Sequence, residues 1–429
     1  MSVSNIIMYL LPIIVTPILT RLYTPSAFGE WGVFSSFITI ASISIFFGFE
    51  NIIIQAQEKQ LGHALSLCIL TSIGAVALIG ILFIIGRLCD VPFFTTFPAP
   101  AILFVYFIAY IFYTVCYNLC NRYEQYYTLS FSNIVQGGTQ AIFRILFAFI
   151  CFESINGLIL GTTIAQGVTA AFLLLFAVKV LSDRHISPSF QFSKIKELVA
   201  RYKNFPLYDA PSSMLSFAAF NLPIIILSIY FDDKGSIGCY SIILQLLLIP
   251  MSFVGSAIGK VYYQRLCAEN VQLSHIQDTT HNVLSILCII AILPLLFIAC
   301  GGDKIIILFL GSQWQTAGNI ALCLALWSFP TILTQPLLPL FRVLNKQHIL
   351  LQYDALYFAG GIGCIFLLCH LTSNLYVILI SYALICFFVK IALFFRILSH
   401  SHLSFTDYWR FSLIWAIAIT VLTIRLLLL

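Results

Sequence analysis

Polar side chains recur at every fourth residue along one apolar segment of this chain. They are Ser132, Gln136, Gln140 and Arg144. A spacing of four residues places them on one face of a helix. No acidic residue lies within a turn of Arg144, and Glu153, nine residues on, falls on the opposite face. Because polar groups in hydrocarbon usually face a bundle interior or a wet cavity, we predict that Arg144 lines a cavity, with Gln136 and Gln140 on the same face.

A second pattern consists of tyrosines at helical spacing. They are Tyr106, Tyr110, Tyr113 and Tyr117. Their spacing of four, three and four residues forms a row over about 16 Å of one helix face. A tyrosine offers a flat apolar ring and a hydroxyl, so the row is a surface suited to sugar rings. The same row fits core packing in which neighbouring helices bond the hydroxyls, and the sequence leaves both interpretations open.

The overall composition indicates whether the helices that carry these residues lie in water or in a membrane. Of 429 residues, 61% are hydrophobic and only 9% are charged, and the mean hydropathy is +1.02. A soluble domain carries about 25% charged residues. Long, continuous apolar runs favour membrane helices of roughly 20 residues over the short alternating strands of a barrel. The sequence therefore predicts an all-α integral membrane protein.

Short polar stretches divide the chain into thirteen candidate spans. They are 3–20, 30–49, 61–86, 100–119, 128–151, 156–180, 206–231, 236–258, 280–301, 317–341, 349–370, 374–396 and 411–428. Most lysines and arginines fall at alternate loops, the last group being Lys390, Arg396 and Arg410. By the positive-inside rule, the N-terminus lies in the cytoplasm. An odd number of spans then places the C-terminus outside.

The longest polar stretch, 181–205, is the predicted boundary between two six-helix lobes. The lobes cover 1–180 and 206–396, and an additional C-terminal span lies in 397–429. Basic residues in the boundary segment interleave with apolar ones, which fits either an amphipathic helix on the cytoplasmic leaflet or a solvated linker. The apolar residues are Ile195, Leu198 and Val199.

Two short matches indicate how the predicted helices are arranged. Gly29 and Trp31 follow the first span much as Gly238 and Tyr240 follow the seventh, which predicts lobes related by a parallel pseudo-repeat. Two such lobes facing a central cavity are common in transporters. Gly157 and Gly161 stand four residues apart, a spacing that predicts close helix contact.

The sequence lacks the usual signs of an enzyme or a metal protein. Nearly all of its 13 cysteines lie in apolar runs, without CxxC or Cys/His spacing for a metal. It has no GxxxxGK[ST], HExxH or GxSxG motif. We therefore expect no enzymatic activity, no cofactor, no metal and no nucleic-acid partner. The residues predict a secondary transporter with a cationic cavity, for which Arg21 is the second candidate cation after Arg144.

Five stretches, in order, resemble the polysaccharide transporter (Wzx-like, O-antigen flippase) family of the multidrug/oligosaccharidyl-lipid/polysaccharide exporter superfamily. They are LTRLYTPSAFG at 19–29, GLILG at 157–161, FPLY at 205–208, the run 250–265 ending in VYYQR, and FLGSQW at 309–314. The resemblance covers essentially the whole chain. In one departure, Gly48 stands where family members often have an arginine two residues before the acid, here Glu50, that ends the second span. The sequence therefore predicts no charge pair between position 48 and Glu50.

The resemblance implies a flippase that moves undecaprenyl-pyrophosphate-linked oligosaccharide repeats of O-antigen, capsule or exopolysaccharide across the bacterial inner membrane. Its partners would be the lipid-linked oligosaccharide, the bilayer and other polysaccharide assembly proteins. A pyrophosphate needs cations, and a glycan suits an aromatic-lined, hydrated cavity. The candidate cations are Arg144, Arg21, Arg122 and Lys260.

Two alternatives predict different features. A cation-coupled drug or small-molecule antiporter of the same fold needs a buried acid in the first lobe, and the first six spans contain none near mid-membrane. Ion coupling remains open, because Asp209 and Asp354 lie within about a turn of the cytoplasmic ends of their spans. A membrane polysaccharide polymerase needs a long external loop, and no predicted external loop is long enough.

Overall fold

The computed structural model describes residues 2–150, 156–184, 186–266, 273–344, 346–404 and 409–427. Throughout these ranges the chain forms α-helices with short 3₁₀ and π segments, and no strand occurs in them. Ten helices in the described residues are long and apolar enough to cross a membrane. The all-α, multi-pass membrane class predicted from the sequence is confirmed.

The helices of the first part of the chain are α1 (Ser2–Leu22), α2 (Pro25–Phe46), α3 (Ile52–Gln55), α4 (Leu61–Leu88), α5 (Pro92–Thr96), α6 (Pro100–Arg122), α7 (Tyr126–Phe149), α8 (Gly157–Asp183), α9 (Phe192–Arg201) and α10 (Ala210–Tyr230). Those of the second part are α11 (Lys234–Leu266), α12 (Leu273–Phe297), α13 (Asp303–Leu310), α14 (Gln315–Thr334), α15 (Pro339–Val343), α16 (Gln347–Leu371), α17 (Leu375–His400) and α18 (Trp409–Leu427). A long helix lies at each of the thirteen predicted spans.

Helix ends are where the structure differs most from the predicted spans. The second helix begins at Pro25, five residues before the predicted start. Thr24 caps it, because its hydroxyl accepts a hydrogen bond from the amide of Ala27 at 3.3 Å, and proline is suited to the first helical turn. The predicted span 317–341 is also divided, since the 3₁₀ segment Gln335–Leu337 separates α14 from α15.

The helices pack as two compact units, residues 1–238 and 239–429. In the first unit, α8 packs against both α6 and α7, α1 packs on α7, and α2 packs on α10. In the second unit, α14 is buried along almost its whole length and packs against α12 and α17, while α16 packs on α17. The predicted lobes at 1–180 and 206–396, and their pseudo-repeat, remain predictions.

The polar stretch 181–205 contains a short helix, α9, rather than only a linker. Its residues Ile195 and Leu198 are buried. Ile195 belongs to an apolar cluster with Phe49, Ile52, Ala56, Ala64 and Leu67. The apolar face of this amphipathic helix therefore packs on its own unit, and its basic residues lie on the opposite, exposed face.

The last helix, α18, packs on α12 and α14 of the second unit, and one arginine adds hydrogen bonds to this contact. Arg425 donates hydrogen bonds from Nη1 to the carbonyl oxygens of Ile298 at 3.0 Å and Ala299 at 3.4 Å. Its Nη2 lies 2.8 Å from Oδ2 of Asp303. The two carbonyls belong to a π-helical segment in which Gly301 has a φ of +110°. Arg425 thus joins α18 to the irregular segment between α12 and α13.

Candidate functional site

The first unit contains a buried arginine on the polar face of α7. Arg144 is 7% exposed. Its guanidinium carbon lies 4.6 Å from the centroid of the Trp31 ring, and its Nη2 donates to Oγ1 of Thr162 at 2.8 Å. Trp31 Nε1 donates to the same hydroxyl at 3.2 Å. The cation is therefore held between an aromatic face from α2 and a hydroxyl from α8.

Two glycines of α8 let α7 approach closely enough for this arrangement. A Cβ on Gly161 would lie 2.7 Å from Cγ of Arg144 and 2.8 Å from its backbone nitrogen. A Cβ on Gly157 would lie 2.4 Å from the hydroxyl of Tyr23. That hydroxyl donates to the carbonyl oxygen of Arg144 at 2.7 Å. Only a residue without a side chain fits at either position in this packing.

The charge of Arg144 has no acidic partner in the described residues. The ion pairs found there are Glu58–Arg184, Glu30–Lys234 and Asp303–Arg425. Within the same residues, Nε of Arg144 is buried without a hydrogen-bond partner. A buried guanidinium with an unused donor has the chemistry to bind a carboxylate or a phosphate with two parallel hydrogen bonds.

One further residue of the predicted polar stripe, Gln136, contacts α8. Gln136 Nε2 donates to Oε1 of Gln166 at 2.9 Å, and Gln166 is 3% exposed. Ser132 is buried and donates to the carbonyl of Leu129 in its own helix, whereas Gln140 is half-buried. The structure therefore places Gln136 and Arg144 two turns apart on the same α7–α8 contact.

The four tyrosines of α6 form a continuous, half-buried face. The rings of Tyr106 and Tyr110 stack with centroids 6.3 Å apart, and those of Tyr113 and Tyr117 lie 5.6 Å apart. This face packs along α2 for part of its length. Its contacts there are Phe34 with Tyr106 at 6.2 Å and Phe46 with Tyr110 at 6.5 Å between ring centroids.

The other predicted cations lie in different surroundings. Arg122 donates from Nη1 to the carbonyl oxygens of Ile53 at 2.8 Å and Ile54 at 3.3 Å, so it caps the C-terminal end of α3. Arg21 is exposed at the end of α1, and Lys260 is exposed on α11. In this conformation Arg144 is thus the buried member of the predicted set, and the substrate-binding assignments remain predictions.

The two acids proposed for ion coupling differ in how far they are described. Asp209 lies in the π-helical segment Phe205–Asp209, and its side chain is outside the described residues. Asp354 is half-buried on α16. It interacts electrostatically with Lys390, a residue counted above with the loop cations that instead lies inside α17.

Sequence reasoning did not identify the residues that hold Arg144. Trp31 and Thr162 come from helices separated from α7 along the chain, so spacing along one helix cannot associate them with it. The Gly157–Gly161 spacing was the signal for the close α7–α8 contact. It did not specify which side chain would lie against the glycines.

Comparison with solved structures shows the fold. The lipid II flippase MurJ, in an inward closed conformation, aligns with a TM-score of 0.73 and 12% identity over 99% of this chain and 97% of that chain. An inward-facing multidrug resistance MATE family transporter of the MOP superfamily aligns with a TM-score of 0.66 and 14% identity over 93% and 96%. An outward-facing one aligns with a TM-score of 0.56 and 12% identity over 94% of each chain.

Comparisons of the sequence itself gave one match, to a family model. A search of curated proteins found no match. A family model described as "Polysaccharide biosynthesis protein" matches residues 18–319. Since this match covers well over half of the 429 residues, the chain belongs to that polysaccharide biosynthesis protein family.

Proposed function

We propose that this protein is a flippase that moves undecaprenyl-pyrophosphate-linked oligosaccharide repeats across the bacterial inner membrane. Its family belongs to polysaccharide biosynthesis, and a lipid II flippase has a similar fold. The observation that carries the proposal is the buried charge of Arg144, which has no acidic partner in the described residues. An uncompensated buried cation suits an anionic cargo.

The proposed division of labour follows from the chemistry of the cargo. The pyrophosphate binds Arg144. The Nη2 group of this arginine donates to Thr162, and its Nε–H, which has no partner in the described residues, is available to the phosphate. The glycan lies against polar and aromatic side chains of the same unit. These are Gln136, Gln140, Tyr106, Tyr110, Tyr113 and Tyr117. The polyprenyl tail stays in the lipid, so the protein needs no apolar tunnel for it.

A second candidate, a cation-coupled antiporter, is favoured by one acid of the first unit. Glu50 lies in the 3₁₀ segment Phe49–Asn51 just after α2, and its Oε2 is buried without a hydrogen-bond partner in the described residues. Burial raises the pKa of this carboxyl above its ordinary range. A carboxyl of this kind can bind a proton or a cation. The antiporter predicts that Glu50→Gln abolishes transport, whereas the flippase requires Arg144.

Complementation of a flippase-deficient bacterial strain tests the proposal. Arg144→Ala should abolish surface polysaccharide and leave lipid-linked repeats in the cytoplasmic leaflet, while Arg144→Lys retains part of the activity. The control is Arg184→Ala, which removes an exposed arginine whose side chain is 51% accessible. Membrane levels of each variant are measured by immunoblot. Full complementation by Arg144→Ala at normal protein levels would contradict the assignment.

A further inference from the structure

The second unit contains a buried lysine that the proposed cargo site does not use. Lys390 lies on α17, ten residues before its end, and is 4% exposed. Its Nζ lies 4.8 Å from the centroid of the Tyr357 ring on α16. An ionisable group buried in a membrane helix is costly unless it is paired or functional. Lys390 therefore needs an explanation beyond packing.

The acid that interacts with this lysine, Asp354, does not form an ion pair with it. Asp354 lies on α16, three residues before Tyr357, so the two share a helix face toward α17. It interacts electrostatically with Lys390. The ion pairs within 4.0 Å in the described residues all involve other residues, so no described carboxylate lies within 4.0 Å of Lys390 Nζ. The two charges attract each other without forming a closed ion pair.

Further titratable groups on three helices form a cluster that includes Tyr357 and Cys386, the two that interact with Lys390. They are Tyr357 and Cys364 on α16, Tyr382 and Cys386 on α17, and Tyr240 on α11. The helices are close here, since a Cβ on Gly361 would lie 3.0 Å from Cε2 of Tyr382 and 3.4 Å from Sγ of Cys386. The Tyr357 hydroxyl interacts with both Tyr382 and Cys386. Among the described residues, the groups that interact with Lys390 besides Asp354 are thus a tyrosine ring and a thiol.

We propose that Asp354 and Lys390 form a proton-binding site of the second unit. Asp354 is half-buried and so accessible to a proton, whereas Lys390 is enclosed. When the proton adds to the Asp354 carboxylate, the acid becomes neutral and the attraction to the Lys390 ammonium is lost. The Tyr357 ring still contacts the lysine, so one of the two electrostatic contacts that Lys390 makes with α16 is lost and the link between α16 and α17 is weakened.

This gives the unit two states that differ by one proton and by the strength of one interhelical contact. A transporter can use such a site to couple its conformational change to a proton gradient. This coupling role rests on the proposed transport function. The proton binding itself does not, because it is measured in the absence of cargo. Failure of the Arg144 complementation test and failure of the proton site are therefore separate results.

Charge movement in proteoliposomes tests the site. The full-length protein is adsorbed on a solid-supported membrane and exposed to a pH jump without any lipid-linked sugar. The wild type should give a transient current as protons bind. Asp354→Asn should lose most of this current, whereas Lys390→Met should show it at higher pH, because a nearby cation favours the ionised carboxylate. Lys304→Met, which replaces an exposed lysine of the same unit, is the matched control and should behave as the wild type.

The outcomes decide the proposal. Loss of the current in Asp354→Asn and its shift to higher pH in Lys390→Met, with the control unchanged, support a proton site made by the pair. An unchanged current in Asp354→Asn overturns it and leaves Lys390 a packing residue. If Lys390→Met does not fold, as judged by gel filtration in detergent, Asp354→Asn still decides, because it keeps the shape of a half-buried side chain.

Discussion

The guanidinium of Arg144 and the indole of Trp31 lie 4.6 Å apart and share the hydroxyl of Thr162 as acceptor. The indole therefore contributes both a ring face for the cation and a donor for its partner. This relationship fixes the direction of the guanidinium without neutralising its charge. An acidic partner would also stabilise Arg144, but it would compete with an anionic ligand.

The contribution of Trp31 can be measured by replacement. Trp31→Leu removes the ring and the Nε1–H donor, and should lower the free energy of unfolding by about 2 kcal/mol. Trp31→Phe keeps a ring but not the donor, and should have an intermediate effect. Thermal unfolding in detergent gives the comparison. Equal stability of all three proteins would show that the contact contributes nothing.

Periodicity along single helices predicted much of the fold. It located a helix at each of the thirteen spans because membrane helices must be long and apolar. It placed Gln136 and Arg144 on one face, which the structure directs toward α8. It could not supply Trp31 or Thr162, since contacts between helices distant in sequence leave no periodic signal.

Charge counting along the sequence also has a limit that Lys390 illustrates. Its position near Arg396 suggested a loop cation, yet it is buried inside α17. Its neighbours explain the difference, because Tyr357 and Asp354 come from another helix.

The two glycines that the sequence analysis matched, Gly29 and Gly238, form a contact that hydropathy alone could not predict. Gly29 and Gly238 lie against each other, and a Cβ on Gly238 would be 2.8 Å from the nitrogen of Gly29.

The α7–α8 contact makes a prediction about glycine. Gly161→Ala should destabilise the protein by about 1–3 kcal/mol, because overpacking forces helices apart, and it should displace the backbone that carries Arg144. Gly167→Ala is the matched control on the same helix, since nothing lies within 4 Å of a Cβ there. Thermal unfolding should separate the two variants. A Gly161→Ala protein as stable as the control would contradict the close packing.

The additional C-terminal helix should depend on Arg425. Arg425→Ala leaves Asp303 and two carbonyls of the broken segment without their donor, which should cost about 3 kcal/mol for a partly buried ion pair. Thr423→Ala, on an exposed position of the same helix, is the control. Limited proteolysis should cut the Arg425→Ala protein faster within 298–303. Identical digestion of both variants would argue against the contact.

Asp233 predicts a pH dependence at the start of α11. Its carboxylate accepts hydrogen bonds from the Ser236 hydroxyl at 2.5 Å and from the amides of Ser236 and Gly235 at 3.3 and 2.9 Å. These bonds, the Ser236 hydroxyl first, lower the pKa of Asp233 below its ordinary value of 3.8. Because the folded pKa is the lower one, the stabilisation is complete well above that value and is lost as the pH falls through the folded pKa.

The measurement is the difference in Tm between the wild type and Asp233→Ala across a pH series. At neutral pH the variant should be less stable by about 1 kcal/mol, as for loss of a helix cap, and the difference should shrink as the solution is acidified. Asp232→Ala removes a neighbouring exposed acid and should show no such trend. A difference that stays constant down to acidic pH would mean that Asp233 acts by its shape rather than by its charge.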